Sequence, residues 1–269
     1  MKFETIKAVI CDMDGVLWRG KTLLNGFKAF FELLHDAQLP FALATNNSSK
    51  TPEQYVELIR GYGVEWLTPQ HIITSGVATV AMLQRDLPLH APIHVMGSSS
   101  LQAMFADAGF ELVNHGAQAV VVGLKRDLTY DDLTIALRCV LGGARLIGTN
   151  HDATFPSEDG LMPGNGSIVA TIERASGQTA HFVGKPYAPM YEIALDRLQT
   201  APHETLMIGD RLDTDIEGAQ RHALKTALVL SGVTQPDDLI TSDIQPDVAY
   251  EHLGALVTAW NYTGGKRKR

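Results

Sequence analysis

The chain has 269 residues, 45% of them apolar, with 30 acidic against 22 basic side chains and a net charge of −8. That length suits two domains, and the apolar share supports a sizeable core, so general disorder is excluded. The balance is acidic even though the chain ends Lys-Arg-Lys-Arg, which argues against nucleic acid as the main partner. The apolar runs fall far short of the roughly 20 residues that cross a membrane. The N-terminus lacks the long apolar stretch of a signal peptide, and two cysteines, Cys11 and Cys139, make no disulfide framework. A cytoplasmic protein is the expectation.

In chain order, the first apolar run, "AVIC" (8–11), ends in two acids, Asp12 and Asp14, followed by Gly15. Carboxylates that close repel one another and cost desolvation energy, so a cation or a reaction is expected there. The stretch 26–38 has helical apolar spacing, and "FALAT" (41–45) reads as a second buried strand that ends in Thr45 and Asn46. A helix over 51–63 opens with Thr51 as N-cap and Pro52 at its first position. Further strands are expected at 71–75, 93–97, 119–124, 145–149, 180–184, 205–210 and 226–232, and another helix at 188–199. Continuous apolar strands alternating with helices describe an α/β fold with a parallel sheet.

In such sheets, ligands bind beyond the carboxyl ends of the strands. Four strand ends would deliver Asp12 and Asp14, Thr45 and Asn46, Lys185, and Asp210 to one crevice. The gap between Asn46 and Lys185 is too long for a sheet crossover and carries its own strand–helix alternation. It reads as an inserted domain, giving a core over 1–76, an insert over 77–179 with hinges near Gly76 and Gly177 to His181, and the rest of the core over 180–269 with a short basic tail. Asp12, Asp14 and Asp210 supply hard oxygen ligands of the kind Mg²⁺ takes. Lys185, the Thr45 hydroxyl and amides near Asn46 suit an anion. Together these describe a phosphoryl-transfer site around a nucleophilic carboxylate.

Four motifs stand in order: "DMDGVL", "ATNNSS", "VGKP" and "GDRLDTDI". In them the chain resembles the phosphatase branch of the haloacid dehalogenase superfamily. With "GTNHDATFPSEDGLMPGNGSI" it resembles the NagD-like, p-nitrophenyl phosphatase-like group that carries a type C2 cap. The resemblance implies a Rossmann-like core with an inserted α/β cap, and a Mg²⁺-dependent phosphomonoester hydrolase. Asp12 would be the nucleophile. Asp14 would be the general acid and then base, its backbone carbonyl joining Asp12 and Asp210 at the metal. Thr45, Asn46 and Lys185 would hold the phosphoryl oxygens, and Asp215 would steady Lys185 and the metal loop. Small phosphorylated metabolites are the implied substrates: sugar phosphates, phosphoglycolate or nucleoside monophosphates. A homodimer is among the implied assemblies, as caps of this group often pair. The family more often has Pro where this chain has His151. A carbon-attacking dehalogenase would lack Asp14, a signalling receiver would lack the insert, and a phosphotransferase would share all of these residues. Asp213 reads as a solvated residue at a helix start. "GNGSI" is set aside as a nucleotide loop, because no strand is expected before it.

Overall fold

The computed structural model describes residues 3–157 and 160–263; the basic tail lies outside the described residues. Among the described residues no helix is long and apolar enough to cross a membrane. The chain divides into two compact units, one of residues 1–45, 56–72 and 191–269, the other of 46–55 and 73–190.

The larger sheet has its strands in the order Val248–Tyr250, Lys225–Val229, Thr205–Gly209, Ala8–Cys11, Phe41–Thr45, Ile72–Thr74, and all of it but Ile73 and Thr74 belongs to the first unit. The pairings along the first five are all parallel. Ala8–Cys11, Phe41–Thr45 and Thr205–Gly209 are buried at every position, as continuous apolar runs require when both faces are covered. Helix Phe27–Asp36 buries Phe27, Phe30, Phe31 and Leu34, spaced three and four apart on one stripe. Val248–Tyr250 has too short a pattern to read from sequence. Asp247 fixes it by accepting hydrogen bonds from the backbone N–H (2.9 Å) and hydroxyl (3.1 Å) of Thr226.

The second unit carries a five-stranded parallel sheet in the order His181–Phe182, Arg145–Gly148, Ala119–Val122, Pro92–Met96, Glu111–Leu112. Helices Tyr130–Leu141 and Asn165–Ser176 pack their apolar stripes on it through Ala136, Cys139, Val140, Ile168, Val169 and Ile172. This compact unit is wider at both ends than residues 77–179. The reason at the N-terminal side is local: Ile72–Thr74 runs directly into helix Ser75–Asp86, with the Thr74 hydroxyl accepting from Val77 N at 3.1 Å. Gly76 lies buried in that first turn, where a Cβ would press on Leu101 at 2.9 Å, so it is a packing glycine. A hairpin, Thr154–Ser157 with Gly160–Pro163, precedes helix Asn165–Ser176, so a strand does stand before "GNGSI". Gly164 and Gly166 serve close packing there: a Cβ on either would overlap the carbonyls of Asp152 and His151. Both cysteines are buried and unbridged.

Candidate active site

In the first unit, three strand ends converge. Cys11 is level with Ile208, and the Asp12 N–H extends that ladder by donating to Ile208 O at 2.8 Å. Asp12 and Asp210 therefore leave neighbouring parallel strands at the same edge. Asp215 follows in a π-type turn, Leu212–Ile216. One carboxylate oxygen from each of Asp12, Asp210 and Asp215 lies within 4.8 Å of the others, and all three residues are buried. Three carboxylates held this close in a low-dielectric site repel strongly unless a cation joins them.

The loops around them are fitted to the carboxylates. Val233 N donates to Asp210 Oδ2 at 2.7 Å, and Arg211 N donates to Asp215 Oδ2 at 3.1 Å. Gly15 adopts φ +87°, and a Cβ on it would overlap the Asp210 carboxylate; a Cβ on Gly232 would do the same, and one on Gly209 would overlap Asp215. Gly232→Ala is expected to cost about 1–3 kcal/mol of stability through overpacking, read as a lower urea midpoint at unchanged slope.

Asp14 is exposed, and its Oδ1 accepts from the Trp18 indole N–H at 2.9 Å. Its carboxylate is not among the three of the buried trio. The loop that carries it is tied down elsewhere: Ser231 Oγ donates to Gly15 O at 2.8 Å and Arg19 donates to Ser231 O at 2.6 Å. Thr45 is buried at the end of the strand next to Ala8–Cys11. Asp213 forms a two-pronged pair with Arg211, at 3.1 and 2.8 Å, and lies outside the trio.

Asn46 and Lys185 belong to the second unit. Lys185 is buried, and its peptide to Pro186 is cis. The turn that carries it hangs from strand Arg145–Gly148 and the residue after it, with Val183 N donating to Gly148 O (3.2 Å) and Gly184 N to Thr149 O (2.9 Å). The Asn46 side-chain N–H₂ donates to Lys185 O at 3.0 Å and to Asp152 Oδ2 at 3.3 Å. Sequence reasoning missed Trp18, Ser231, Gly232 and Asp152. Only Gly232 carried a signal, as a glycine closing "TALVLSG" where a strand end was already expected.

Residues 9–111 match the model of the haloacid dehalogenase-like hydrolase family, and residues 182–256 match a second, HAD-hydrolase-like model. The acid sugar phosphatase of Staphylococcus haemolyticus is 32% identical over 256 residues, covering 95% of this chain and 97% of that protein. Among solved structures, the 4-nitrophenylphosphatase of Thermotoga maritima superposes with a TM-score of 0.91 at 30% identity, covering 96% of this chain and 98% of that one. NagD from E. coli K-12 gives 0.86 at 33% identity, covering 93% and 97%. The four motifs, the parallel core and these likenesses over nearly the whole length agree, and the chain belongs to the haloacid dehalogenase-like hydrolases as a phosphatase of the NagD-like group.

Proposed function

We propose that this chain is a Mg²⁺-dependent phosphomonoester hydrolase acting on small phosphorylated metabolites through a covalent phosphate on Asp12. The observation that carries the reading is the buried trio of Asp12, Asp210 and Asp215 at the strand ends. The donor set fits the metal, since Mg²⁺ takes hard oxygen ligands and tolerates few of them from protein. Asp12, Asp210 and the Asp14 backbone carbonyl would hold it, with Asp215 supporting the loop beside them. When bound, the ion neutralises charge on the phosphoryl oxygens.

The chain's own residues supply the rest. An Asp12 carboxylate oxygen attacks phosphorus, and the bond to the leaving oxygen breaks with its electron pair. The Asp14 carboxyl gives that oxygen a proton. Water then attacks the phosphorus of the acyl phosphate, the ionised Asp14 takes its proton, and phosphate leaves while the Asp12 carboxylate is restored. The Thr45 hydroxyl, the Asn46 backbone N–H and the Lys185 ammonium hold the phosphoryl oxygens. The second unit acts as the cap that selects the leaving group. Sugar phosphates stand first among the candidates because of the acid sugar phosphatase relatives, with phosphoglycolate and nucleoside monophosphates next.

The test is release of inorganic phosphate from a panel of phosphorylated metabolites, with and without Mg²⁺. Release in water with no added acceptor marks a hydrolase; release that requires an added alcohol marks a phosphotransferase. Exhaustive EDTA treatment is expected to reduce turnover of p-nitrophenyl phosphate to background, and Mg²⁺ to restore it. Ca²⁺ is expected to restore little, because its larger, looser coordination spoils in-line geometry. Full turnover in EDTA would remove the metal from the reading.

A further inference from the structure

We infer that the Asn46 side chain is a positioning residue for Lys185 and makes no direct contact with the phosphoryl group; this rests on the reading that Lys185 holds that group. Both amide hydrogens of Asn46 are engaged, one by the Lys185 carbonyl and one by the Asp152 carboxylate. Those two partners only accept, so the orientation of the amide is settled: turning it over would set its oxygen against two other oxygens. The Asn46 oxygen, which would be repelled by phosphate, is buried without a hydrogen-bond partner.

The residue itself is immobilised from the other side. Its backbone carbonyl accepts from Ser75 Oγ at 2.6 Å and from the Asn150 side-chain amide at 2.7 Å. Asn150 is buried next to the loop from which the Lys185 turn hangs. Gly184, immediately before Lys185, lies so near that a Cβ on it would come within 2.6 Å of Asn46 Oδ1 and 2.8 Å of Thr149 O. The chain thus uses a glycine at 184 to let the asparagine reach the lysine's carbonyl. A lysine on a four-carbon stem delivers its charge accurately only if its backbone is fixed. Asn46 does this from a point well separated in sequence, and Asp152 fixes the asparagine in turn.

A double-mutant cycle on the full-length protein tests it, using p-nitrophenyl phosphate turnover and inhibition by inorganic phosphate. Asn46→Ala is expected to lower kcat/KM by about 10²-fold, the usual cost of a small misplacement, and to weaken phosphate inhibition. Asn46→Asp, nearly isosteric, is expected to lose at least as much, because a carboxylate then faces the Lys185 carbonyl and Asp152. The deciding result is the pair with Lys185→Ala. If Asn46 acts through Lys185, the double variant is no worse than Lys185→Ala alone, within about twofold. Losses that multiply would mean that Asn46 acts independently, as a ligand or on stability, and would overturn the inference. A wild-type-like Lys185→Ala would overturn both the inference and the phosphate role of Lys185, and the single variant alone reveals that case. Circular dichroism confirms folding; if the alanine variant does not fold, Asn46→Ser takes its place in the cycle.

Discussion

Asp12→Asn is expected to lower turnover by about 10⁴–10⁶-fold, the range seen when a covalent nucleophile is removed. The amide is nearly isosteric, and the backbone N–H of residue 12 keeps its bond to Ile208 O, so the strand end is undisturbed. What changes is chemistry and charge. A neutral amide is a far weaker nucleophile, and no phosphate should become trapped on the protein. The trio also drops from three buried carboxylates to two, so the variant is expected to unfold at a higher temperature than wild type when divalent cations are stripped away. The order should narrow or reverse when Mg²⁺ is added, because three carboxylates are expected to bind it more tightly than two. Melting curves with and without Mg²⁺ read this independently of turnover. A variant that keeps more than a trace of activity, with contaminating phosphatase excluded, would take the nucleophile's role from Asp12.

Asp14→Asn is expected to separate two steps that wild type runs together. The substituted amide can still accept from the Trp18 indole through its oxygen, and Gly15 keeps its backbone bond to Trp18 O, so the loop should hold its shape. Lost are the proton for the leaving oxygen and the base for water. An alkyl phosphate leaves as a strongly basic alkoxide and needs the acid, whereas p-nitrophenolate is stable without it. With p-nitrophenyl phosphate the variant should release a burst of about one nitrophenolate per active site, then slow, with phosphate trapped on Asp12. With an alkyl phosphate no burst should appear. Rapid mixing followed by acid quench and mass spectrometry of the protein checks both. Slow p-nitrophenyl phosphate cleavage with neither burst nor trapped phosphate would show that Asp14 is needed in the first step or for site geometry.

The strand ends were legible because burial is costly for a carboxylate: an apolar run that stops abruptly at an acid marks a place where that charge must be compensated. Asp12 and Asp210 both follow strands that the structure buries completely. Three features were less legible, each for a physical reason. Asp215 stands in the trio through a five-residue π-type turn, a geometry that leaves no periodic trace in sequence. The engaged state of the Asn46 amide depends on a carbonyl and a carboxylate distant in the chain, and such pairings follow from tertiary packing alone. Strand 180–184 shrank to His181–Phe182: Val183 and Gly184 stay bonded to Gly148 and Thr149, but the chain then enters a turn closed by Tyr187 N donating to Gly184 O. Elements with long apolar stripes survive such local contests, and two- and three-residue strands do not show until their neighbours are in place.

The order of strands in the first sheet bears on how the protein is made. Ala8–Cys11 is held between Phe41–Thr45, synthesised soon after it, and Thr205–Gly209, synthesised near the end. A growing chain therefore carries an apolar strand with one open edge through most of its synthesis, the kind of edge that recruits wrong partners. Pairing across so many residues is also slow, since loop closure must precede any gain from contact. Asp12 meets Asp210 and Asp215 only at that late closure, so an unfinished chain lacks the carboxylate trio. Completion of the sheet and assembly of the trio become a single late event, and a chaperone that shields the edge of residues 8–11 would be guarding the proposed nucleophile as well.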